Sequence, residues 1–258
     1  MRRKVQGALL ASYRYAQATG ILSTRFGRAA FEFAYSRYKV LVEAGEVNLL
    51  RAHVVEGGVV IDVGANIGFF TLKFAAWVGA SGRVFAIEPE QENFGRLSHR
   101  VKRQGYSSRV SLIQAAAAER SGELRLAINP INPMDHRLSE DGMPVRAITI
   151  DDLCASEGWP AVCLVKIDVQ GAEDRVIAGA LETLKRFSPA LYVEVEASSV
   201  SGAESGALLI DDLASLGYLP YTLEKNGEKH VVGTEAAIRI SKMNGYADFL
   251  FLKAKEVR

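Results

Sequence analysis

The residues best placed by type and spacing to do chemistry fall into three clusters. The first is Asp62, Gly64, Ala65, Asn66 and Gly68, inside the stretch VVIDVGANIGFF that runs from Val59 to Phe70. Val59, Val60 and Ile61 read as a buried parallel strand, the segment to Gly68 as a turn, and Phe69 onward as a helix. Such a turn places free backbone N–H groups at a helix N-terminus beside the carboxyl end of a strand, and glycine at 64 and 68 lets a ligand press against bare backbone. The second cluster is Glu88 with Pro89, closing an apolar segment that starts at Arg83. A carboxylate at a second strand end, about 20 residues beyond the glycine turn, is where a nucleoside-binding α/β unit accepts two ribose hydroxyls. The third is Asp168, at the end of the apolar run from Ala161 to Ile167 and followed by Val169-Gln170-Gly171-Ala172-Glu173.

Which nucleoside these clusters suit follows from what is missing. A dinucleotide site needs G-x-G-x-x-G to admit a pyrophosphate, but Asn66 interrupts the pattern and no third glycine follows. A triphosphate loop needs Gly-Lys-Ser/Thr, which does not occur. The remaining common guest is S-adenosylmethionine, which has ribose and adenine but no phosphate. Its cationic methionine end is expected near the turn over 62–68, with the Asp62 carboxylate or the Gly64 carbonyl as acceptor for the ammonium. Small residues from Ala115 to Ala117, with Ala116 between them, leave room for an adenine ring and equally suit plain packing. Asn93, in the first turn of the helix after Glu88, reaches back toward the ligand or caps its own helix.

The elements that must position these groups alternate between strand and helix. Helices are expected over 69–78 and 90–104, with strands over 83–88 and 110–113. A less regular insertion over 122–144 holds an extra strand at 123–128, the loop Asn129-Pro130-Ile131-Asn132-Pro133, and His136. A strand over 145–150 leads to a helix opened by Asp151 and Asp152, whose charge complements the helix dipole. One helix is expected from Glu173 to Arg186, with Val176, Ile177, Ala180, Leu181 and Leu184 as its buried stripe. In the strand over 191–196, alternation puts Glu194 and Glu196 on one face. A helix over 207–216 follows. Strands over 218–223 and 248–253, joined by a polar, glycine-containing loop, read as a terminal antiparallel pair.

Composition narrows the class. The chain has 258 residues, of which 48% are hydrophobic and 24% charged, ordinary values for a globular protein with a substantial core. Lys and Arg number 31 against 30 Asp and Glu, which argues against a nucleic-acid footprint over the whole molecule. Cys154 and Cys163 lack metal spacing and read as reduced thiols in a cytoplasmic protein. No apolar run approaches membrane-spanning length. Basic residues at Arg2, Arg3, Lys4, Arg14, Arg25 and Arg28 precede the first acid, Glu32, and a helix is expected over 26–51. That basic segment reads as a solvated helix on the domain or as a surface for a membrane or partner.

Taken together, VVIDVGANIGFF, AIEPEQENFGRL, ITIDDL, LVKIDVQGAED and LYVEVE make the chain resemble the FkbM-type methyltransferases, from about Leu50 to the last strand. The resemblance implies an α/β, Rossmann-like class I methyltransferase fold with a seven-stranded, mostly parallel sheet and one antiparallel strand. It also implies S-adenosylmethionine as donor and transfer to an oxygen of a natural product, sugar or glycan. By position, Asp62, Gly64, Asn66 and Gly68 would line the methionine end, Glu88 the ribose, and Asp168 the floor below the sulfonium. The family commonly has an acid where this chain has Gln170. The resemblance divides the chain into an N-terminal helical extension over 1–52 and a methyltransferase domain over 53–258.

Methyl transfer needs an oxygen held in line with the carbon–sulfur bond and a group to take its proton. Asp168 and His136 are the expected catalytic bases. His53, His99 and His230 read as structural or exposed, and Lys166 as reaching the surface or an ion pair. The expected function is O-methylation of a hydroxyl on a small molecule, sugar or glycan, without a metal and with room for a homo-oligomer. Two alternatives stand beside it. One is a non-catalytic binding protein of the same fold, which Gln170 keeps open. The other is a metal-assisted enzyme using Asp168 with Glu194 or Glu196. A nicotinamide-dependent oxidoreductase fails on the glycine spacing.

Overall fold

A computed structural model of the chain describes residues 47–127, 137–139, 141–197, 200–224 and 228–254, together with residues 19, 24 and 27. The first part runs β1 (Val59–Val63), α1 (Phe69–Trp77), β2 (Arg83–Ile87), α2 (Gln91–Arg103), β3 (Val110–Ile113) and β4 (Ala116–Ala117). It continues with β5 (Gly122–Ala127), β6 (Arg137–Leu138), β7 (Met143–Ile148), α3 (Ile150–Ser156) and β8 (Val162–Ile167). The last part is α4 (Glu173–Ala178), α5 (Leu181–Phe187), β9 (Ala190–Glu196), α6 (Val200–Ser215), β10 (Tyr218–Leu223), β11 (Lys229–Val231), α7 (Thr234–Asn244) and β12 (Tyr246–Lys253).

Eight strands form one sheet in the order β11-β10-β12-β9-β8-β1-β2-β3. The five from β9 to β3 are mutually parallel, β12 runs antiparallel to both β9 and β10, and β11 is antiparallel to β10. The chain winds outward from β1 through β2 to β3, then returns to place β8 on the other side of β1. The crevice of an open α/β sheet forms outside the carboxyl ends of the strands at such a switch point.

Strand alternation sends neighbouring side chains to opposite faces, and both faces are covered. Val60, Val84, Ala86 and Leu164 pack with Phe70 and Phe74 of α1 and Leu97 and Val101 of α2. Ile61, Phe85, Val165 and Val193 pack on the other face with residues of α3 to α7, among them Leu153, Val176, Leu184, Leu213 and Ala237. Val47, Leu50 and Val54 join the α1–α2 face, so the last residues of the expected 1–52 extension share the core of the sheet.

Several expectations need correction. The sheet has eight strands rather than seven, because the chain after β10 folds back as the short edge strand β11. The insertion joins Ala116–Ala117 in a second sheet, β4-β7-β5-β6, and the strand expected over 145–150 belongs to it as β7. The helix expected from 173 to 186 is two helices. At Gly179 a Cβ would lie 2.0 Å from the carbonyl oxygen of Ala118, the residue after β4, so the two helices part where the chain packs against that backbone. The carboxylate of Asp151 then caps α5, accepting from the N–H groups of Glu182 and Thr183 at 2.9 and 2.8 Å. The loop expected before the last strand contains α7. Its flanking Gly233 and Gly245 signal a loop, and only Ala237 and Ser241 within it are fully buried, too narrow a stripe to announce a helix. The helix expected over 26–51 lies almost wholly outside the described residues.

Candidate active site

Strand register assembles the site. Val63 pairs with Ile87 on one side and Ile167 on the other, so Gly64, Glu88 and Asp168 are the next residues out of three adjacent strands. Ile167 pairs in turn with Val193, which brings Glu194 beside Asp168.

The turn after β1 differs from expectation in one respect that decides its chemistry. The N–H groups of Gly64 and Ala65 both donate to the Ile87 carbonyl at 3.0 Å, and that of Gly68 to Ala65 at 2.8 Å. Asn66 N–H donates to Glu88 Oε2 at 2.8 Å and Ile67 N–H to Asn66 Oδ1 at 2.7 Å. Every N–H from Gly64 to Gly68 is therefore spent inside the protein, and the expected nest of free donors does not form. The glycines answer to the protein as well. A Cβ on Gly64, at φ +70°, would lie 1.9 Å from the Asp168 carbonyl oxygen, and one on Gly68 would lie 2.6 Å from Leu97 Cδ1.

Asp62 is fully buried and faces inward. Its Oδ2 accepts a 2.6 Å hydrogen bond from Thr71, while Lys166 Nζ stands 3.5 Å from Oδ1, an ionic contact outside hydrogen-bond geometry. Burial pushes the Asp62 carboxyl up from its usual range, against the pull of Lys166 and Thr71. Lys166 neither reaches the surface nor is solvated. Its ammonium donates to the carbonyls of Gly64 at 2.9 Å and Val63 at 3.2 Å, lies 3.4 Å from Asp168 Oδ2, and sits over the Phe70 ring. Both acceptors expected for a ligand's ammonium, the Asp62 carboxylate and the Gly64 carbonyl, thus already engage Thr71 and Lys166.

Glu88, 4% exposed, accepts from Glu90 N–H at 3.0 Å as well as from Asn66. Burial pushes its carboxyl up to about 7, although the two backbone donors pull it down. Pro89 is half-buried beside it, and Asn93 is buried, its N–H donating to the Glu90 cap of α2 at 2.6 Å. Ala116 is buried in β4, paired with Ala147, and just before it Ile113 is partly exposed and Gln114 exposed.

The turn after β8 is acidic. Gln170, at φ +55°, directs Nε2 to Asp168 Oδ1 at 3.5 Å and Glu194 Oε1 at 3.4 Å. Glu196 forms a bidentate pair with Arg137 of β6, at 2.9 and 3.0 Å, which ties the second sheet to β9. Glu173 is buried, accepts the Gly171 N–H at 3.0 Å, and is pushed up to about 7 by burial, with Asp168 and Glu196 adding to the effect. Sequence reasoning assigned no site role to Lys166, Glu173 or Arg137. A single cation inside the apolar run VCLVKI was a legible signal for Lys166, whereas the place of Arg137 depends on a strand pairing that no local pattern announces. His136 lies outside the described residues. Among the described residues, one trio has the ligand spacing of a metal site: Glu224, Glu228 and His230, exposed around the β10–β11 hairpin at the far edge of the sheet.

Residues 62–220 match the family described as the methyltransferase FkbM domain. The chain belongs to the FkbM methyltransferase family. Its methyl donor is S-adenosylmethionine. This FkbM chain is 28% identical over 179 residues to the hexuronic acid methyltransferase AglP of Haloferax volcanii, covering 67% of this chain and 72% of that one. It is 30% identical over 151 residues to the 2-O-methyltransferase NoeI of Sinorhizobium fredii, covering 50% of this chain. It is 29% identical over 157 residues to the 31-O-demethyl-FK506 methyltransferase FkbM of Streptomyces tacrolimicus, covering 48% of this chain. The matched stretch spans 59% of each of these last two relatives, less than two thirds of their length. A methyltransferase FkbM from Methylobacillus flagellatus, of known structure, aligns with 18% identity and a TM-score of 0.49 over 77% of this chain and 44% of its own.

Proposed function

We propose that this chain transfers the methyl group of S-adenosylmethionine to a hydroxyl oxygen of a sugar or another small molecule. The observation that carries the reading is the spent turn after β1. A phosphate-bearing cofactor needs bare N–H groups at this position, and all five from Gly64 to Gly68 are already donated. Around them stand acceptors, Glu88, Asp168 and Glu194, which suit a ligand whose outer groups are hydroxyls and cations.

In this reading Glu88 takes the two ribose hydroxyls. Each of its oxygens has accepted one N–H and has a further lone pair to offer, and two hydroxyl donors favour the ionised form that burial opposes. Asn66, Pro89 and Asn93 flank it. Gly64, Ala65 and Gly68 form the wall at the methionine end, and the small side chain of Ala116 limits bulk on the adenine side. Asp62 acts at one remove, by holding Lys166. When bound, the donor would supply a methyl carbon on a positively charged sulfur, open to in-line displacement by an acceptor oxygen with the sulfur as leaving group. Asp168 takes the hydroxyl proton, its carboxylate steadied from behind by Lys166. His136 is a second candidate for that proton.

The acceptor class draws support from the relatives, whose names specify a hexuronic acid and positions 2-O and 31-O. Free thiols at Cys154 and Cys163 suit a cytoplasmic setting, and no helix among the described residues is long and apolar enough to cross a membrane. Calorimetry with S-adenosylmethionine tests the donor site. Glu88→Ala is expected to weaken binding by about tenfold or more, and Asp168→Asn to leave it within about threefold while turnover falls by about a hundredfold or more. NAD binding as tightly as S-adenosylmethionine overturns the reading.

A further inference from the structure

Four residues other than glycine have positive φ among the described residues, and Gln170 is the one at the strand ends that frame the acceptor side of the cleft. The left-handed region is unfavourable for glutamine, which lacks the short amide that lets asparagine bond its own backbone there. What the conformation achieves is the position of the side chain. Asp168, the first residue past β8, lies beside Glu194 within β9, each following one of the paired residues Ile167 and Val193. Like charges on neighbouring strands are destabilising. The Gln170 amide stands between them, 3.5 Å from one carboxylate and 3.4 Å from the other. Ionised carboxylates only accept, so the NH2 end must face them. Lys166 faces the other oxygen of Asp168, and Asp248 is the register partner of Glu194 on β12.

We propose that Gln170 is a positioning residue for methyl transfer: its amide bridges Asp168 and Glu194, holding the two carboxylates apart as a spaced pair. Such a pair suits an acceptor that presents two neighbouring hydroxyls, as a sugar ring does, one giving up its proton to Asp168 and the other donating to Glu194. The inference rests on the reading of Asp168 given above. It adds the role of Gln170, the pairing with Glu194 and the preference for a vicinal diol.

Two variants test it. Gln170→Gly removes the amide and relieves the backbone. It is expected to melt at the same or a higher temperature and to bind S-adenosylmethionine within about twofold of wild type. Its kcat should fall by about tenfold or more on whichever of methyl glucoside and methyl glucuronide the wild type methylates. A residue that merely shaped the turn would leave kcat intact when replaced by glycine. Gln170→Glu places a third carboxylate between the other two, and calorimetry with calcium chloride should then show affinity about tenfold or more above wild type, a readout that needs neither donor nor acceptor. Wild-type kcat in Gln170→Gly overturns the proposal, and so does calcium binding by Gln170→Glu no tighter than by wild type. Wild-type protein that binds no S-adenosylmethionine defeats the functional reading instead, and the calcium measurement still decides whether the two carboxylates converge on this side chain.

Discussion

The turns that follow β1 and β8 are built alike and used differently. Each follows a parallel strand, passes a residue other than glycine at positive φ, Asn66 or Gln170, and enters a helix. In the first turn, Asn66 spends its side chain on the next N–H, and the glycines make room for the Asp168 backbone and for Leu97. In the second, Gln170 points its side chain at two acids, and a Cβ on Gly171 would meet side-chain ends rather than backbone, Glu196 Oε2 at 2.8 Å and Arg137 Nη1 at 3.8 Å. On the function proposed above, the first turn would be the rigid, self-satisfied wall beside the nucleoside, and the second the surface that keeps polar groups turned toward the acceptor, with less local stability as the consequence.

The sharpest way to break this contrast is a matched pair of substitutions. Gly64→Ala forces a methyl into a backbone oxygen and strains φ as well, so it should cost about 4 kcal/mol or prevent folding. Gly171→Ala strains φ equally but meets the end of a paired side chain rather than backbone, and about 1–2 kcal/mol is expected in urea denaturation. Equal losses would mean that the two turns are equally constrained. Lys166, the cation shared by both turns, comes next. Lys166→Met leaves the buried Asp62 carboxylate without its counter-charge and should cost about 3 kcal/mol. Adding Asp62→Asn should recover part of that loss, and no recovery would show that the ammonium acts through the Val63 and Gly64 carbonyls instead.

The smallest expected effect lies in the pH dependence of stability. Glu173 is raised from 4.5 to about 7 in the folded state, so its contribution is fully present below about 4.5 and is lost as pH rises through about 7. Glu173→Gln keeps an acceptor for the Gly171 N–H without the ionisation. Its stability should fall less steeply than wild type between pH 5 and pH 8, and should exceed it at pH 8 by about 1–3 kcal/mol. Glu88 is raised in the same direction, so part of the slope should persist. A wild-type slope unchanged by the substitution would remove Glu173 from the titrating set.

Most strands of the large sheet were legible because continuous apolar runs such as 59–61 and 161–167 have no stable place except a strand covered on both faces. Glu88 and Asp168 were legible as the residues just past strand ends, whereas Asp62, read as the start of the turn, lies inside β1 and is fully buried. Less visible was anything that depends on a distant partner. The helix break at Gly179 comes from the Ala118 carbonyl, the extra edge strand from a pairing with β10, and the β6 pairing that brings Arg137 to Glu196 from the fold of the insertion.

What the sequence by itself determined was the alternation of element types, the identity of the polar residues at strand ends, and the absence of a glycine spacing that would admit a pyrophosphate, since all three are local properties of side-chain period and backbone freedom. What only the tertiary structure decided was how those polar groups are used. The turn N–H groups are consumed by Ile87, Glu88 and the turn itself, Lys166 is turned inward onto Asp62, and Asp168 is left beside Glu194 under the Gln170 amide. Those outcomes follow from strand register, and register is set by the whole hydrophobic pattern packing at once rather than by any stretch read alone.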